Sequence, residues 1–343
     1  MLWLRAKQGR QQYIDRISQC IRIPSANQLI LSLLTDSNRS EESLTHTLNI
    51  EPVTDCFLKP RNCQKWILTV LSDYSNDEYY QQGYIYDPIM KTKIKVDGMK
   101  FDGRDRIKSV SYHKRRLISV NEAMSYALSS VEMFDFDRRK WIILPTMNRT
   151  LFACTATVVG NNLYVIGIYD RGTELEILDL ARKEWREGPS MNGSIEIAQT
   201  VVIGKYIYVL GMDSPTSRSV ARFDTEQEIW EFVAPMIFHK RKFVSTEYNV
   251  KIYVVGGEEY DDDGMIITDT MEVYDPNTDS WSKLTTNTLP KSILSLVSTH
   301  EGIYAVAKGL HLYNVEKNEW TTVNNMILGW GLSCAIPVSP YGK

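Results

Sequence analysis

Short apolar segments recur along the chain, and each follows a polar turn. In each of them an apolar residue and a tyrosine are followed by small or β-branched residues. Such runs, bounded by turn residues, are typical of buried β-strands. The clearest are Leu163–Gly167, Ile207–Gly211, Ile252–Gly257 and Ile303–Ala307. The pattern therefore predicts a mainly β protein.

The predicted strands follow a fixed repeat. Five tryptophans are separated by 44, 45, 51 and 39 residues, and an aspartate or asparagine stands six positions before each. A methionine or asparagine stands six positions after each. The repeat tryptophans are Trp141, Trp185, Trp230, Trp281 and Trp320. An earlier unit keeps Asp87 and Met99 with Lys93 in the tryptophan position, so the register predicts six units.

Each unit predicts four short strands, too small a sheet to bury both of its faces alone. Stacking six such sheets in a ring gives a β-propeller, with the tryptophans packed between sheets. We expect the repeat aspartates to accept backbone N–H groups in tight turns, and Gly256 and Gly257 to permit positive φ or close approach. The first unit, from Lys65, lacks a first strand. We therefore expect a C-terminal strand over 331–338 to complete its sheet and close the ring.

These features resemble the kelch repeat. Its closest copy here is the strand Ile252–Gly257 followed by Met271–Trp281, which reads Met-Glu-Val-Tyr-Asp-Pro-Asn-Thr-Asp-Ser-Trp. The resemblance covers about residues 62–343 and implies a six-bladed kelch propeller over 61–343. The expected blades are about 62–100, 101–148, 149–192, 193–237, 238–288 and 289–327, followed by the closing strand 331–338.

The first sixty residues have helical spacing instead. Ile14, Ile17 and Ile21 share one helical face, and Leu29–Leu34 follows the break at Pro24. The segment resembles the C-terminal part of the BACK domain, which precedes the propeller in BTB-BACK-kelch proteins. We therefore expect a partial, α-helical BACK-like segment and linker over 1–60. No stretch resembles a BTB domain, which leaves open a fragment of a longer protein or a short natural one.

Composition narrows the classes of partner and compartment. The 343 residues include 39 basic and 42 acidic side chains, and a net charge of −3 gives no general attraction to nucleic acid or anionic membranes. No apolar run is long enough for a membrane helix, and the N-terminus has no signal-peptide pattern. Five cysteines, an odd and sparse number, favour a reducing compartment. We expect a cytoplasmic protein, with the nucleus or the cytoskeleton as alternatives.

No motif for catalysis, cofactor binding or metal binding is recognisable. The five histidines lack ligand spacing, and no phosphate loop, nucleophile elbow or Cys-x-x-Cys occurs. We therefore expect no enzyme, cofactor or metal. Cys154 and Cys334 fall in predicted first strands and are interpreted as packing residues, with a redox-sensor role left open.

Recognition is expected on the face that carries the longer loops, because loops on a rigid scaffold carry function. The loop Glu258–Gly264 has five carboxylates and is interpreted as a solvated tip, a contact for a basic partner or a weak calcium site. The basic connection 238–242 either contacts a partner or neutralises that loop. Trp330 lies outside the tryptophan register, and its interpretation is open between a packing residue and a contact for a partner. The candidate partner-binding residues are Tyr79, Tyr80, Arg104, Arg106, Arg149, His239, Lys240, Arg241, Glu258, Glu259, Tyr260, Asp261, Asp262, Asp263 and Trp330.

The resemblance implies a protein–protein interaction module. The first hypothesis is a substrate-recognition adaptor of a cullin–RING ubiquitin ligase, which captures a protein substrate on the loop face and binds ligase subunits if a BTB domain precedes it. The alternative is a cytoskeletal kelch scaffold that binds actin and has no ligase role. An enzyme is the third hypothesis.

Overall fold

A computed structural model describes most of the chain beyond residue 65. The described ranges are 66–75, 78–87, 92–102, 106–113, 116–122, 128–169, 172–191, 195–212, 218–261, 264–268, 270–287, 289–290, 293–307, 309–324 and 332–338. These residues form strands, turns and connections, and none of them forms a helix. The membrane search accordingly finds no helix among them that could cross a bilayer. The BACK-like segment predicted over 1–60 lies outside the described residues.

The described strands form six four-stranded antiparallel sheets and one two-stranded hairpin. Sheet 1 consists of β1 Trp66–Ser75, β2 Glu78–Asp87, β3 Thr92–Asp102 and β26 Leu332–Val338, and sheet 2 of β4 Arg106–His113, β5 Arg116–Glu122, β6 Leu128–Asp135 and β7 Lys140–Ile143. Sheet 3 consists of β8 Phe152–Val159, β9 Asn162–Tyr169, β10 Gly172–Asp179 and β11 Glu184–Glu187, and sheet 4 of β12 Ile195–Ile203, β13 Tyr206–Met212, β14 Ser219–Asp224 and β15 Ile229–Val233.

The remaining two sheets and the hairpin follow in chain order. Sheet 5 consists of β16 Val244–Tyr248, β17 Lys251–Val255, β20 Met271–Asp275 and β21 Ser280–Leu284, and β18 Glu258–Asp261 pairs with β19 Gly264–Ile267 in the hairpin between its second and third strands. Sheet 6 consists of β22 Ser295–Thr299, β23 Gly302–Val306, β24 Leu310–Asn314 and β25 Glu319–Asn324.

The sheets are arranged as in a β-propeller. The first strands of consecutive sheets lie beside one another, from β26 through β4, β8, β12, β16 and β22 and back to β26. Apolar side chains fill the space between sheets; Tyr164 and Ile177 of sheet 3, for example, pack with Phe223 of sheet 4. The hydrophobic core therefore lies between sheets, as expected for small sheets that cannot bury both faces alone.

The last strand of the chain completes the sheet that contains the first one. β26 pairs antiparallel with β1, so that Trp66 lies opposite Val338 and Val70 lies opposite Cys334. This is the pairing expected from the missing first strand of the opening unit.

The repeat aspartates cap the turns between third and fourth strands, as predicted. Oδ1 of Asp179 accepts the backbone N–H groups of Ala181 and Arg182 at 2.8 and 3.0 Å. Asp135 and Asp224 make the same pairs of bonds. Four residues after each repeat Asp or Asn the backbone is left-handed, at Arg139, Lys183, Glu228, Asp279 and Asn318. The turn is therefore one structure repeated five times.

Three of the repeat tryptophans join their sheet to the connection before it. The indole N–H groups of Trp185, Trp230 and Trp281 donate to the backbone carbonyls of Pro145, Pro189 and Ala234 at 2.7–2.8 Å. Each acceptor lies two residues before the methionine position of the preceding unit. The position two residues before the repeat methionine thus accepts a hydrogen bond from the next unit in these three junctions.

Gly257 allows a connection to cross the end of the second strand of sheet 5. Its φ is +114°, and a Cβ atom there would lie 2.9 Å from the carbonyl oxygen of Arg241. Gly256, with φ of +64°, also has the conformation that glycine adopts without strain. The predicted role of this glycine pair is confirmed.

Candidate functional site

The loop face is the end of the sheets that carries the connections between second and third strands and those between successive sheets. Among the described residues the opposite end carries tight turns, such as the turn that follows Asp179. Most of the described candidate residues lie in or beside loop-face connections, because strand direction alternates within each sheet.

At the loop end of sheet 3, Arg149 is held by two carboxylates. Its guanidinium nitrogens Nη1 and Nη2 lie 3.1 Å from Oε2 of Glu174 and 2.9 Å from Oε2 of Glu187. The guanidinium carbon lies 5.3 Å from the ring centre of Tyr169, and Ser190 donates to Glu174 at 2.7 Å. Arg149, a predicted contact residue, is therefore about one-third exposed and fixed by its neighbours.

Glu176 lies beneath this group and is almost completely buried. Its Oε2 accepts a hydrogen bond from Nδ2 of Asn148 at 3.1 Å, whereas its Oε1 has no hydrogen-bond partner among the described residues. Burial raises the pKa of the Glu176 carboxyl, and the bonds from Asn148 only partly oppose that shift.

The equivalent carboxylate in sheet 5 has an internal cation. Nζ of Lys240 lies 3.1 Å from Oε1 of Glu272, and both side chains are fully buried. The backbone N–H of Ile237 donates to Oε2 of Glu272 at 2.7 Å. Lys240 was predicted to contact a partner, but its burial against Glu272 removes it from that surface and makes it a structural residue. Sequence spacing missed this because it gives no side-chain direction in a connection.

The rest of the basic connection pairs with the base of the acidic hairpin. Arg241 and Glu258 exchange two backbone hydrogen bonds, of 2.9 and 2.7 Å. Nζ of Lys242 lies 3.1 Å from Oε1 and 3.0 Å from Oε2 of Glu258. Of the two alternatives for this connection, neutralisation within the chain therefore holds for Lys242 and Glu258, while His239 is exposed.

A cleft of about 1040 Å³ opens where the connections of sheets 5 and 6 meet. Its lining combines cationic, hydroxyl and apolar groups, among them Lys242, Lys283, Thr268, Thr270, Phe243 and Leu289. Leu294 is about half exposed at its edge. The size and mixed lining suit a segment of a protein partner.

The other candidate residues have only their backbone described or lie outside the described residues. Tyr79 and Tyr80 are in β2, Arg106 begins β4, and Glu259, Tyr260 and Asp261 are in β18. Arg104, Asp262, Asp263 and Trp330 lie outside the described residues. The predicted contact surface at these positions stays a prediction.

Sequence reasoning missed the carboxylates of sheet 3. One signal was available, because Glu176 and Glu272 both stand three residues before the repeat aspartate. The residue four positions after the repeat methionine is Lys240 in one unit and Leu151 in the other. Comparing these two positions between units would have indicated a buried carboxylate without its cation.

The described residues hold no group of three or more His, Cys, Asp or Glu side chains that could bind a metal ion. Cys154 is buried and is a free thiol. Its burial in β8 agrees with the packing interpretation and separates the thiol from the exposed, basic surroundings that favour reactivity.

Two comparisons relate the chain to known proteins. Residues 243–286 match the Kelch motif, and these residues contain all of sheet 5 and its hairpin. The chain is 32% identical over 102 residues to an F-box/kelch-repeat protein of Arabidopsis thaliana. The match covers 29% of this chain and 22% of that protein, so the chain matches less than a quarter of the relative's length. With the sheet arrangement, these similarities support a kelch-repeat propeller that acts in protein–protein interaction.

Proposed function

We propose that the six sheets are the blades of one closed ring. Contacts between the first and last sheets support this proposal. Ile67 and Tyr86 of sheet 1 pack with Tyr304, Val306 and Leu310 of sheet 6. The antiparallel pairing of β26 with β1 supplies the closure. The closing strand covers the edge of β1, which would otherwise be open to pairing with another chain.

A disulfide tests the closure. Cys334 lies opposite Val70, so Val70→Cys should form an intramolecular disulfide on mild oxidation, since opposed strand residues approach within the range of that bond. Thr69→Cys is the control because successive strand residues alternate between the two faces of a sheet and the residue opposite Thr69 is Ala335. Equal cross-linking of the two variants in gel mobility and mass spectrometry, or none in either, would contradict the closed ring.

We further propose that the loop face captures a protein substrate for a cullin–RING ubiquitin ligase. The observation that carries this is a rigid stack of sheets whose loop end presents Lys242 and Lys283 in the lining of a large cleft and, separately, Arg149 over Tyr169 at sheet 3. Tyrosine and arginine anchor many protein interfaces. The relative combines kelch repeats with an F-box, and this combination favours a ligase role over the cytoskeletal alternative. The proposal includes a cytoplasmic location, membership of the BTB-BACK-kelch family and no catalysis by the chain itself.

Affinity capture with matched variants tests this proposal. The full chain should recover cullin and RING subunits together with a substrate whose ubiquitination depends on it. Replacing Asp261, Asp262 and Asp263 with lysine should change substrate recovery and leave the free energy of unfolding nearly unchanged. Glu316→Lys, in an exposed tight turn on the opposite face, should change neither.

Two results would contradict the ligase role. Recovery of actin filaments without ligase subunits, in co-sedimentation, would favour the cytoskeletal scaffold. A large loss of stability in the triple aspartate variant would show that the hairpin tip is structural and does not contact partners.

A further inference from the structure

Three carboxylates share one face of sheet 3 near its loop end. Glu174 and Glu176 are two residues apart on β10, so their side chains leave the same face. Glu187 lies directly opposite Glu176 on β11, in the strand register. Like charges in opposed positions destabilise a sheet, so this arrangement costs stability unless cations compensate it.

The described residues supply one guanidinium for these three groups. Arg149 is bound to Glu174 and Glu187. Glu176 has hydrogen bonds from Asn148 only, and its buried Oε1 is left without a partner. A buried polar atom without a partner is costly, and a cation that reached this oxygen would recover that cost.

In sheet 5, a lysine of the chain itself pairs with the equivalent buried carboxylate. There Lys240 lies against Glu272, at the position that Leu151 occupies relative to Glu176. Leu151 is fully buried and apolar, so sheet 3 keeps the carboxylate of the pair without its lysine. The two buried glutamates share a strand position, but sheet 5 pairs Glu272 with Lys283 and Lys240, whereas sheet 3 has Glu187 and Leu151 at those places.

One exposed aromatic residue lies on the same face of sheet 3 as the carboxylates. Tyr169 ends β9 opposite Gly172, two residues before Glu174, and its side chain is 43% exposed. Arg149 already lies over the ring of Tyr169. Aromatic rings beside carboxylates favour the alkyl chain and the charged end of a lysine or arginine.

We propose that Glu174, Glu176 and Glu187, with Tyr169, form a receptor for a lysine or arginine side chain of a protein partner. This acidic receptor of sheet 3 rests on the proposed function of the loop face and specifies its substrate: a segment with an exposed basic residue. The incoming cation lies beside Arg149 and supplies the charge that Lys240 supplies in sheet 5. Burial raises the pKa of the Glu176 carboxyl, and a bound cation opposes that shift.

Titration calorimetry with defined probes tests the receptor on the full chain. The probes are acetylated, amidated Gly-Lys-Gly and Gly-Arg-Gly peptides, and a Gly-Gln-Gly peptide is the uncharged control. We expect weak, saturable, salt-sensitive binding of the two basic peptides and none of the control. Glu187→Gln, whose side chain is 55% exposed and therefore safe for folding, should weaken that binding about fivefold to tenfold.

A second variant places a positively charged side chain of the chain itself beside Glu176. Leu151→Lys copies sheet 5 and should abolish binding of the basic peptides, because an internal ammonium then pairs with Glu176. Glu316→Gln makes the same change in net charge as Glu187→Gln on the opposite face and should bind as the unaltered chain does.

Three outcomes would overturn the receptor: equal binding of the glutamine peptide, equal weakening by Glu316→Gln, or no saturable binding of either basic peptide. Substrate capture separates this failure from failure of the proposed function. If Glu187→Gln leaves capture intact while the triple aspartate variant changes it, the receptor is wrong and the loop-face function stands.

Discussion

Two junctions between neighbouring sheets are held by hydrogen bonds from different side chains. Between sheets 3 and 4, the indole N–H of Trp230 donates to the carbonyl of Pro189 at 2.8 Å. Between sheets 5 and 6, the corresponding carbonyl belongs to Thr285 and accepts from Nδ2 of Asn318 at 2.8 Å. The indole N–H of Trp320 is buried and has no partner among the described residues.

Asn287 compensates for this difference. It stands where other units have methionine, and its Oδ1 and Nδ2 bond the backbone N–H and carbonyl of Trp320 at 2.7 and 3.1 Å. The comparison shows that a junction needs hydrogen bonds between a connection and the next fourth strand, while the donating side chain can change. In both junctions the tryptophan ring packs on an aromatic residue of the third strand, Phe223 or Tyr313.

Removing the indole ring of a repeat tryptophan should have the largest effect on the free energy of unfolding. Trp230→Ala deletes a half-buried indole between sheets 3 and 4 and leaves a cavity, which costs about 3–5 kcal/mol. Chemical denaturation monitored by circular dichroism would measure the change in the free energy of unfolding. A stable variant that had lost only partner binding would contradict the packing role.

Replacing Asn287 with the methionine that other units have at this position should have the next largest effect on the free energy of unfolding. Asn287→Met removes both bonds to the backbone of Trp320, and we expect a loss of about 1–3 kcal/mol because those groups lose their partners. Asn287→Asp keeps the acceptor for the N–H of Trp320 and should lose less in the same denaturation measurement. If Asn287→Met stabilised the chain, the bridging role of the amide would be wrong.

Phenylalanine substitutions would separate the two indole N–H groups. Trp230→Phe loses a hydrogen bond and part of a ring, whereas Trp320→Phe loses part of a ring only. We expect Trp230→Phe to cost about 1 kcal/mol more in unfolding free energy. Equal losses would show that the bond to Pro189 contributes nothing measurable.

The smallest expected effect concerns the caps of the tight turns in sheets 5 and 6. The ion pair with Lys251 and the N–H of Asn277 lower the pKa of Asp275, whereas the equivalent residue of sheet 6 is Asn314, which does not titrate. A folded pKa below the unfolded value contributes stability that is present above about pH 4 and is lost as the pH falls below it. Asp275→Asn should therefore reduce the acid sensitivity of the melting temperature in that range, and Asn314→Asp should increase it.

The periodicity of the sequence predicted those parts of the fold that depend on local spacing. The tryptophan and methionine intervals and the tyrosine-containing apolar segments indicated the sheets, and the surplus C-terminal strand indicated its pairing with β1. The aspartate caps were predictable because an aspartate accepts N–H groups two and three residues away along the same turn. Such contacts are set within a few residues of chain.

Contacts between different units were harder to predict. Asn287 stood out only as a departure from methionine, and its bonds join residues 33 positions apart. Lys240 and Glu272 are separated by a long hairpin, so their pairing depends on how the connection crosses the sheet. The placement of side chains at the loop face depends on these crossings, which hydrophobic periodicity does not encode.

The pairing of β26 with β1 has a consequence for the order of events during synthesis. A ribosome releases residues 66–102 early, yet their sheet lacks its innermost strand until Leu332–Val338 has emerged. The opening sheet must therefore wait, partly built, while more than two hundred further residues leave the exit tunnel. Such distant pairing slows folding. A chaperone that shields the unfinished edge would act during this interval, and a nonsense mutation shortly before Leu332 would leave the edge open permanently.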